Sequence, residues 1–122
     1  MTAQDEQLFS RAEEIAARAY APYSRFHVGA AALTTDGQVV EGVNVENAAY
    51  PLGICAERTA LSAAIVAGYR PGDLEAVAIT ASPCGGCRQW LHEFRVERIL
   101  YPHNGEIVTR SVSELLPDTW DL

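Results

Sequence analysis

Lysine is missing from this sequence: all nine basic residues are arginine. Without that amine the chain can form no Schiff base with a carbonyl substrate and cannot build the lysine-dependent phosphate loop of P-loop NTPases. Positive charge is scarce as well. The nine arginines face sixteen acidic residues, for a formal net charge of -7, which repels the phosphate backbone that a general nucleic-acid binder must neutralise. A nucleic-acid polymer is therefore not an expected partner. Long apolar runs are lacking too: no window approaches the roughly 20 residues of a membrane span, and the acid-bearing N-terminal segment has no apolar core of signal-peptide length. The expectation is a cytoplasmic protein with no membrane partner. Cysteine is sparse, at three residues. An odd number leaves one unpaired in any disulfide scheme and, in a reducing compartment, points to metal binding or thiol chemistry.

What is present suits one domain over residues 1–122, with 48% apolar and 20% charged residues. From Thr2, with Asp5 three residues on as an imperfect capping box, Leu8, Ala12, Ile15, Ala16 and Ala19 trace an amphipathic helix that Pro22 ends. Phe26 to Leu33 and Val39 to Val45 are β-prone and flank Thr35-Asp36-Gly37, a hairpin signal. Ile54 to Ala67 is Ala-rich and helix-favouring, with Gly68 as its stop, and Ala76 to Thr80 reads as a short buried strand. Ser82-Pro83 suits the N-cap and first position of a helix carrying Cys84, Cys87, Trp90, Leu91 and Phe94. Two more strands, Ile99 to Tyr101 and Ile107 to Thr109, flank a turn at Asn104-Gly105, and Ser111 with Glu114 caps a short last helix stopped by Pro117. This order predicts an α/β fold with a five-stranded mixed sheet flanked by helices, and no repeat or linker.

The chemistry concentrates on the cysteines. Cys84 and Cys87 stand at i and i+3 on the first turn of one predicted helix, and Cys55 begins another. Helix N-termini lower a thiol's pKa and stabilise its anion, so the positions suit metal ligation. Three ligands are one fewer than a closed structural zinc site needs; a zinc centre with an open position binds water and acidifies it, the pattern of a hydrolytic site. Glu57, two residues after Cys55, is placed to carry protons without being a ligand. A lone helical Glu is ordinarily a solvated surface charge, a reading that the adjacent cysteine displaces. Arg58 falls on the same face as Cys55, where a guanidinium would offset the excess negative charge of three thiolates; an exposed helix ion pair is its alternative.

Cys55-Ala56-Glu57-Arg58-Thr59 and Pro83-Cys84-Gly85-Gly86-Cys87 resemble the zinc-binding signature of the cytidine deaminases, in their short-chain, three-cysteine, homotetrameric form. The resemblance runs in order through Ala21-Pro22-Tyr23-Ser24-Arg25-Phe26, Val28-Gly29-Ala30-Ala31, Asn44-Val45-Glu46-Asn47 and Glu114-Leu115-Leu116-Pro117. It implies a three-layer cytidine-deaminase-like sandwich, a zinc cofactor on Cys55, Cys84 and Cys87, Glu57 as the catalytic proton carrier, and a nucleoside substrate converted from cytidine or 2′-deoxycytidine to the uridine form with loss of ammonia. It further implies that Asn44 and Glu46 hold the sugar, that Phe26 packs on the pyrimidine, that the Ala56 N–H holds the base, and that Trp120, where the family usually has Phe, reaches a neighbouring subunit's pocket. An aromatic opening a strand is otherwise a core residue, and Tyr50 has equal claim to a nucleoside contact or to an intersubunit or core role. Two departures stand out. The segment Ala81-Ser82 before Pro83 is shorter than the family's, at the base end of the pocket, and Pro51-Leu52-Gly53 differs from the common pattern.

Three rivals remain at this stage. A deaminase of a modified nucleoside such as blasticidin S shares the zinc blocks. A thioredoxin-like redox protein would use Cys84-Gly85-Gly86-Cys87 after a strand, although Cys55 and Glu57 have no place in it. A non-catalytic zinc module would complete its ligand set with His27, His92 or His103.

Overall fold

Strand alternation decides the layering. Ala30 and Ala32 of one strand belong to a buried cluster of 16 residues, whereas Ala31 and Leu33 of the same strand belong to a second cluster of 8 on the opposite face. The sheet is thus covered on both sides. The computed structural model describes residues 1–122, with elements α1 (Ala3–Ile15), β1 (Gly29–Thr34), β2 (Val39–Val43), α2 (Ala56–Val66), β3 (Leu74–Ile79), α3 (Gly85–Glu93), β4 (Arg98–His103), β5 (Glu106–Arg110) and α4 (Val112–Leu115). The sheet order is β2-β1-β3-β4-β5, with only β3 and β4 parallel. The helix between those two strands, α3, supplies the crossover that parallel pairing requires. The expected five-stranded mixed sheet and three layers are what the chain forms.

On one face α1 buries Leu8, Phe9 and Ala12 against Ala31, Leu33, Ala76, Ala78 and Leu100. Thr2 caps this helix by accepting the Asp5 N–H, and the nearly buried Asp5 carboxylate then accepts from the Arg98 guanidinium of β4 at 2.9 Å. On the other face α2 and α3 enclose Ala60, Leu61, Ala64, Val77, Ile79, Leu91 and Ile99. The alanines let α2 lie close to the strands. No helix is long and apolar enough to cross a membrane.

Several expected boundaries shift for identifiable reasons. The first helix leaves α geometry at Ile15 and closes with a 3-10 turn over Ala16–Arg18, ahead of Pro22. Strand β1 starts at Gly29 rather than Phe26, because the Asn44 side chain claims the backbone of the intervening residues: Asn44 Oδ1 accepts from the Val28 N–H and Asn44 Nδ2 donates to the Phe26 carbonyl, both at 2.8 Å. Strand β2 ends at Val43, before Asn44, and Val45 instead makes isolated bridges to Tyr20 and Ile54. Strand β3 begins earlier than expected, at Leu74. The expectation of a Ser82 N-cap and Pro83 as first helical residue is corrected: α3 begins at Gly85, and extended Cys84 is the cap, its sulfur accepting the Cys87 N–H at 3.4 Å. The Ser111 to Glu114 capping box forms as predicted.

Candidate functional site

Two helix starts converge to build the site. Cys55 is the extended N-cap residue of α2, Cys84 is the N-cap of α3, and Cys87 lies in the first turn of α3. Close approach of α2 to the sheet sets the position of Cys55. Gly42 of β2 lies so near the helix that a Cβ there would collide with the Ala60 nitrogen and the Ala56 carbonyl. Thr59 locks the contact by donating its hydroxyl to the Val43 carbonyl at 2.7 Å. The Val45 to Ile54 bridge, with reciprocal backbone hydrogen bonds of 2.9 Å, then sets the entry into α2 beside Asn44 and Glu46.

The three sulfur atoms lie within 4.8 Å of one another. All three cysteines are free of disulfides. Burial works against ionising Cys84, yet the Cys87 amide, the Cys87 and Cys55 thiols and Arg58 together outweigh it and hold Cys84 below its ordinary value. Burial pushes Cys55 and Cys87 upward, and the neighbouring Glu57 charge adds to the effect on both. None of the three histidines joins this group, which removes the ligand set of the non-catalytic module. His27 Nδ1 sits against the Arg25 carbonyl, His92 pairs with Asp121 and His103 neighbours Asn104. The redox reading fares no better, since Cys55 shares the cluster with the Cys84 and Cys87 pair.

Beside the sulfurs is a cavity of about 210 Å³ whose walls include Phe26, Val28, Asn44, Cys55, Ala56, Glu57, Ile79, Ala81, Ser82, Cys84 and Cys87. Glu57 is only 4% exposed, and burial raises its carboxyl above the usual range against the opposing pull of its own backbone N–H, Cys87 and Arg58. A buried carboxyl that holds its proton more readily than usual is suited to general acid and base work near neutrality. Ala56 occupies the first position of α2, where a backbone N–H has no carbonyl partner within the helix. Phe26 is largely exposed on the rim. The Ala81-Ser82 segment forms part of the wall, with small side chains only.

A second cavity of similar size shares Asn44 and Cys55 with the first and adds Tyr23, Glu46, Asn47 and Tyr50. Here Glu46 is engaged in holding the preceding loop. Its carboxylate accepts from the Tyr23 and Ser24 backbone N–H groups at 2.9 and 3.1 Å and from the Ser24 hydroxyl, while Ser24 Oγ accepts from the Phe26 N–H at 3.0 Å. Sequence reasoning missed this role: the resemblance implied only a sugar contact for Glu46, and with Tyr23 and Ser24 more than twenty residues away no local spacing pointed to the clamp. Trp120 lines neither of these two cavities. It lies over α3, where its backbone exchanges hydrogen bonds with the Gln89 side chain, next to Trp90, Glu93 and Phe94. Arg58 places Nη2 3.8 Å from the sulfur of Cys84 at the start of the other helix, whereas helix spacing pointed only to the face of Cys55.

Residues 2–102 match the family model described as the cytidine and deoxycytidylate deaminase zinc-binding region. The chain is similar to a cytidine deaminase of Halalkalibacterium halodurans, 48% identical over 93% of this chain and 92% of that one. Among solved structures, the cytidine deaminase from Burkholderia pseudomallei superposes with a TM-score of 0.88 at 43% identity, covering 98% of this chain and 100% of that one. The enzyme from Mycobacterium tuberculosis does so with a TM-score of 0.85 at 41% identity, covering 99% and 100%. A sulfur trio at two helix starts, a buried glutamate beside it and likeness over nearly the full length make this chain a member of the cytidine and deoxycytidylate deaminase family.

Proposed function

We propose that the chain is a zinc-dependent hydrolase that converts cytidine and 2′-deoxycytidine to uridine and 2′-deoxyuridine with release of ammonia, a reaction of pyrimidine salvage. The observation that carries this reading is a carboxyl group, Glu57, buried in the same cavity as the three clustered cysteines. Cys55, Cys84 and Cys87 would hold the zinc, which when bound would supply the Lewis acidity that makes water nucleophilic near neutral pH.

The chain's own residues supply the rest. As water oxygen bonds to C4 of the pyrimidine, Glu57 accepts one of its protons and delivers it to N3. Glu57 then carries the second proton of that oxygen to the amino nitrogen as the C4–N bond breaks, leaving a C4 carbonyl and ammonia. The Ala56 N–H at the start of α2 is free to hold the base, and Phe26 offers a ring face at the rim. Asn44 keeps one amide hydrogen and one oxygen lone pair beyond those it spends on the loop, and both it and Glu46 border the second cavity, where a sugar is accommodated. Arg58 offsets the negative charge of three thiolates around one dication.

The protein is read as a homotetramer of the reducing cytoplasm. Its free cysteines suit that compartment. Self-association would cover Tyr50, Leu52 and Val66, which stand largely exposed, and would bring Trp120 toward a neighbouring subunit. Sedimentation at assay concentration tests the assembly, and a monomer overturns it. A base-modified cytosine nucleoside is the second reading, favoured by the small Ala81 and Ser82 side chains in the cavity wall. Ultraviolet assays on cytidine, 2′-deoxycytidine and base-modified analogues decide. Conversion of the first two with stoichiometric ammonia supports the main reading, and turnover of modified nucleosides alone replaces it with the second.

A further inference from the structure

Arg58 is held by fewer hydrogen bonds than a guanidinium can make. Its Nε is buried with no partner, and the Nη2 contact to Cys84 Sγ is long, at 3.8 Å. What meets the group instead is a ring. Arg58 Cζ lies 5.9 Å from the centroid of the Trp90 ring, within the range at which an aromatic face attracts a cation. Trp90 is itself fixed, lying parallel to Phe94 with centroids 6.1 Å apart and planes 6° from each other, and Phe94 belongs to the larger core cluster. One turn earlier on α3, Gly86 supplies the space: a Cβ there would overlap Arg58 Nη2. Gly86 and Trp90 are four residues apart and so share a helix face. That face offers the guanidinium a flat wall and an open notch beside Cys84.

We propose that Trp90 is a positioning residue for the metal centre, its ring holding the Arg58 guanidinium against the Cys84 sulfur. Three thiolates around one dication leave an excess negative charge, and a cation confined beside them offsets it more effectively than one free to swing into solvent. The role rests on the deaminase reading, in which Cys55, Cys84 and Cys87 hold zinc. Trp90 therefore sets how tightly zinc is retained without touching the ion or the substrate.

The test is the zinc dissociation constant, measured by competition with a chromophoric chelator. Trp90→Leu raises it about three- to tenfold, while Trp90→Phe, which keeps a ring face, stays within about twofold of wild type. In an Arg58→Gln background Trp90→Leu produces no further change, because the ring has no cation to hold. An equal rise with and without Arg58 shows Trp90 to be packing alone and overturns the proposal. So does an unchanged constant in Trp90→Leu. Should Trp90→Leu fail to fold, biosynthetic mono- to trifluorotryptophan in a Trp120→Phe background preserves packing and weakens the ring face in steps. A zinc constant that climbs along that series supports the role, and a flat series overturns it. Wild-type protein that retains no zinc brings down the deaminase reading as well, whereas zinc-retaining wild type with a flat series removes only Trp90.

Discussion

Glu57 is costly to stability where it stands, because a carboxyl group at 4% exposure loses its hydration and has no arginine within ion-pair distance in return. Replacing it by Gln preserves shape and removes the proton-carrying group of the proposed reaction. Glu57→Gln is expected to retain zinc and lose about 10²- to 10⁴-fold in kcat. Near wild-type turnover with zinc bound contradicts the role. Glu46 presents the opposite case, an ionised group satisfied by neighbours. The Ser24 hydroxyl, foremost, and the Ser24 and Tyr23 backbone N–H groups pull its carboxyl below the ordinary value of 4.5. A depressed folded-state pKa means that the loop clamp is fully present above the unfolded value and is lost as pH falls through the lower folded one. The amide proton shifts of Tyr23 and Ser24 should therefore titrate together with a midpoint below 4.5. A midpoint at or above that value shows that Glu46 does not hold the loop.

Between the elements, the seating of α2 on β2 decides whether the site exists at all. Gly42→Ala places a methyl group against the Ala56 carbonyl and the Ala60 nitrogen, both backbone atoms with nowhere to go. Overpacking of this kind costs about 1–3 kcal/mol, and the strain falls on the turn that begins with Cys55. Calorimetry should show a lowered Tm together with weaker zinc retention. Unchanged values for both contradict the account of how Cys55 is placed. Little of this seating was legible in the sequence, because a glycine in a strand pattern does not announce which backbone approaches it. The elements themselves were legible, since hairpin turns, caps and periodicity are local. Their ends were not: Asn44 binding the backbone of Phe26 and Val28 shortens β1, and the Cys84 sulfur displaces Ser82 as the cap of α3. In both cases a side chain distant in sequence or unusual as a cap took over a role that propensity assigns elsewhere. The cysteine trio was legible because each cysteine falls at the start of a helix that local signals predict, whereas the place of Trp120 over α3 depends on its backbone exchange with Gln89, which no spacing predicts.

At the scale of the molecule, the three layers divide labour. The face carrying α1 stabilises, with the Arg98 guanidinium joining Asp5 of the helix and Glu75 of β3. The opposite face carries the helix starts and the two cavities beside the cysteines. A net charge of -7 keeps polyanions away and leaves a small neutral nucleoside free to enter. Arrangement of the whole chain thus serves one small volume between α2, α3 and the loop before β1. The most direct test strips the protein of metal and titrates zinc back while following cytidine conversion. Uridine formation should rise linearly and level off at one zinc per chain. Full turnover by metal-free protein, or one bound zinc per chain with cytidine left unchanged, would contradict the account.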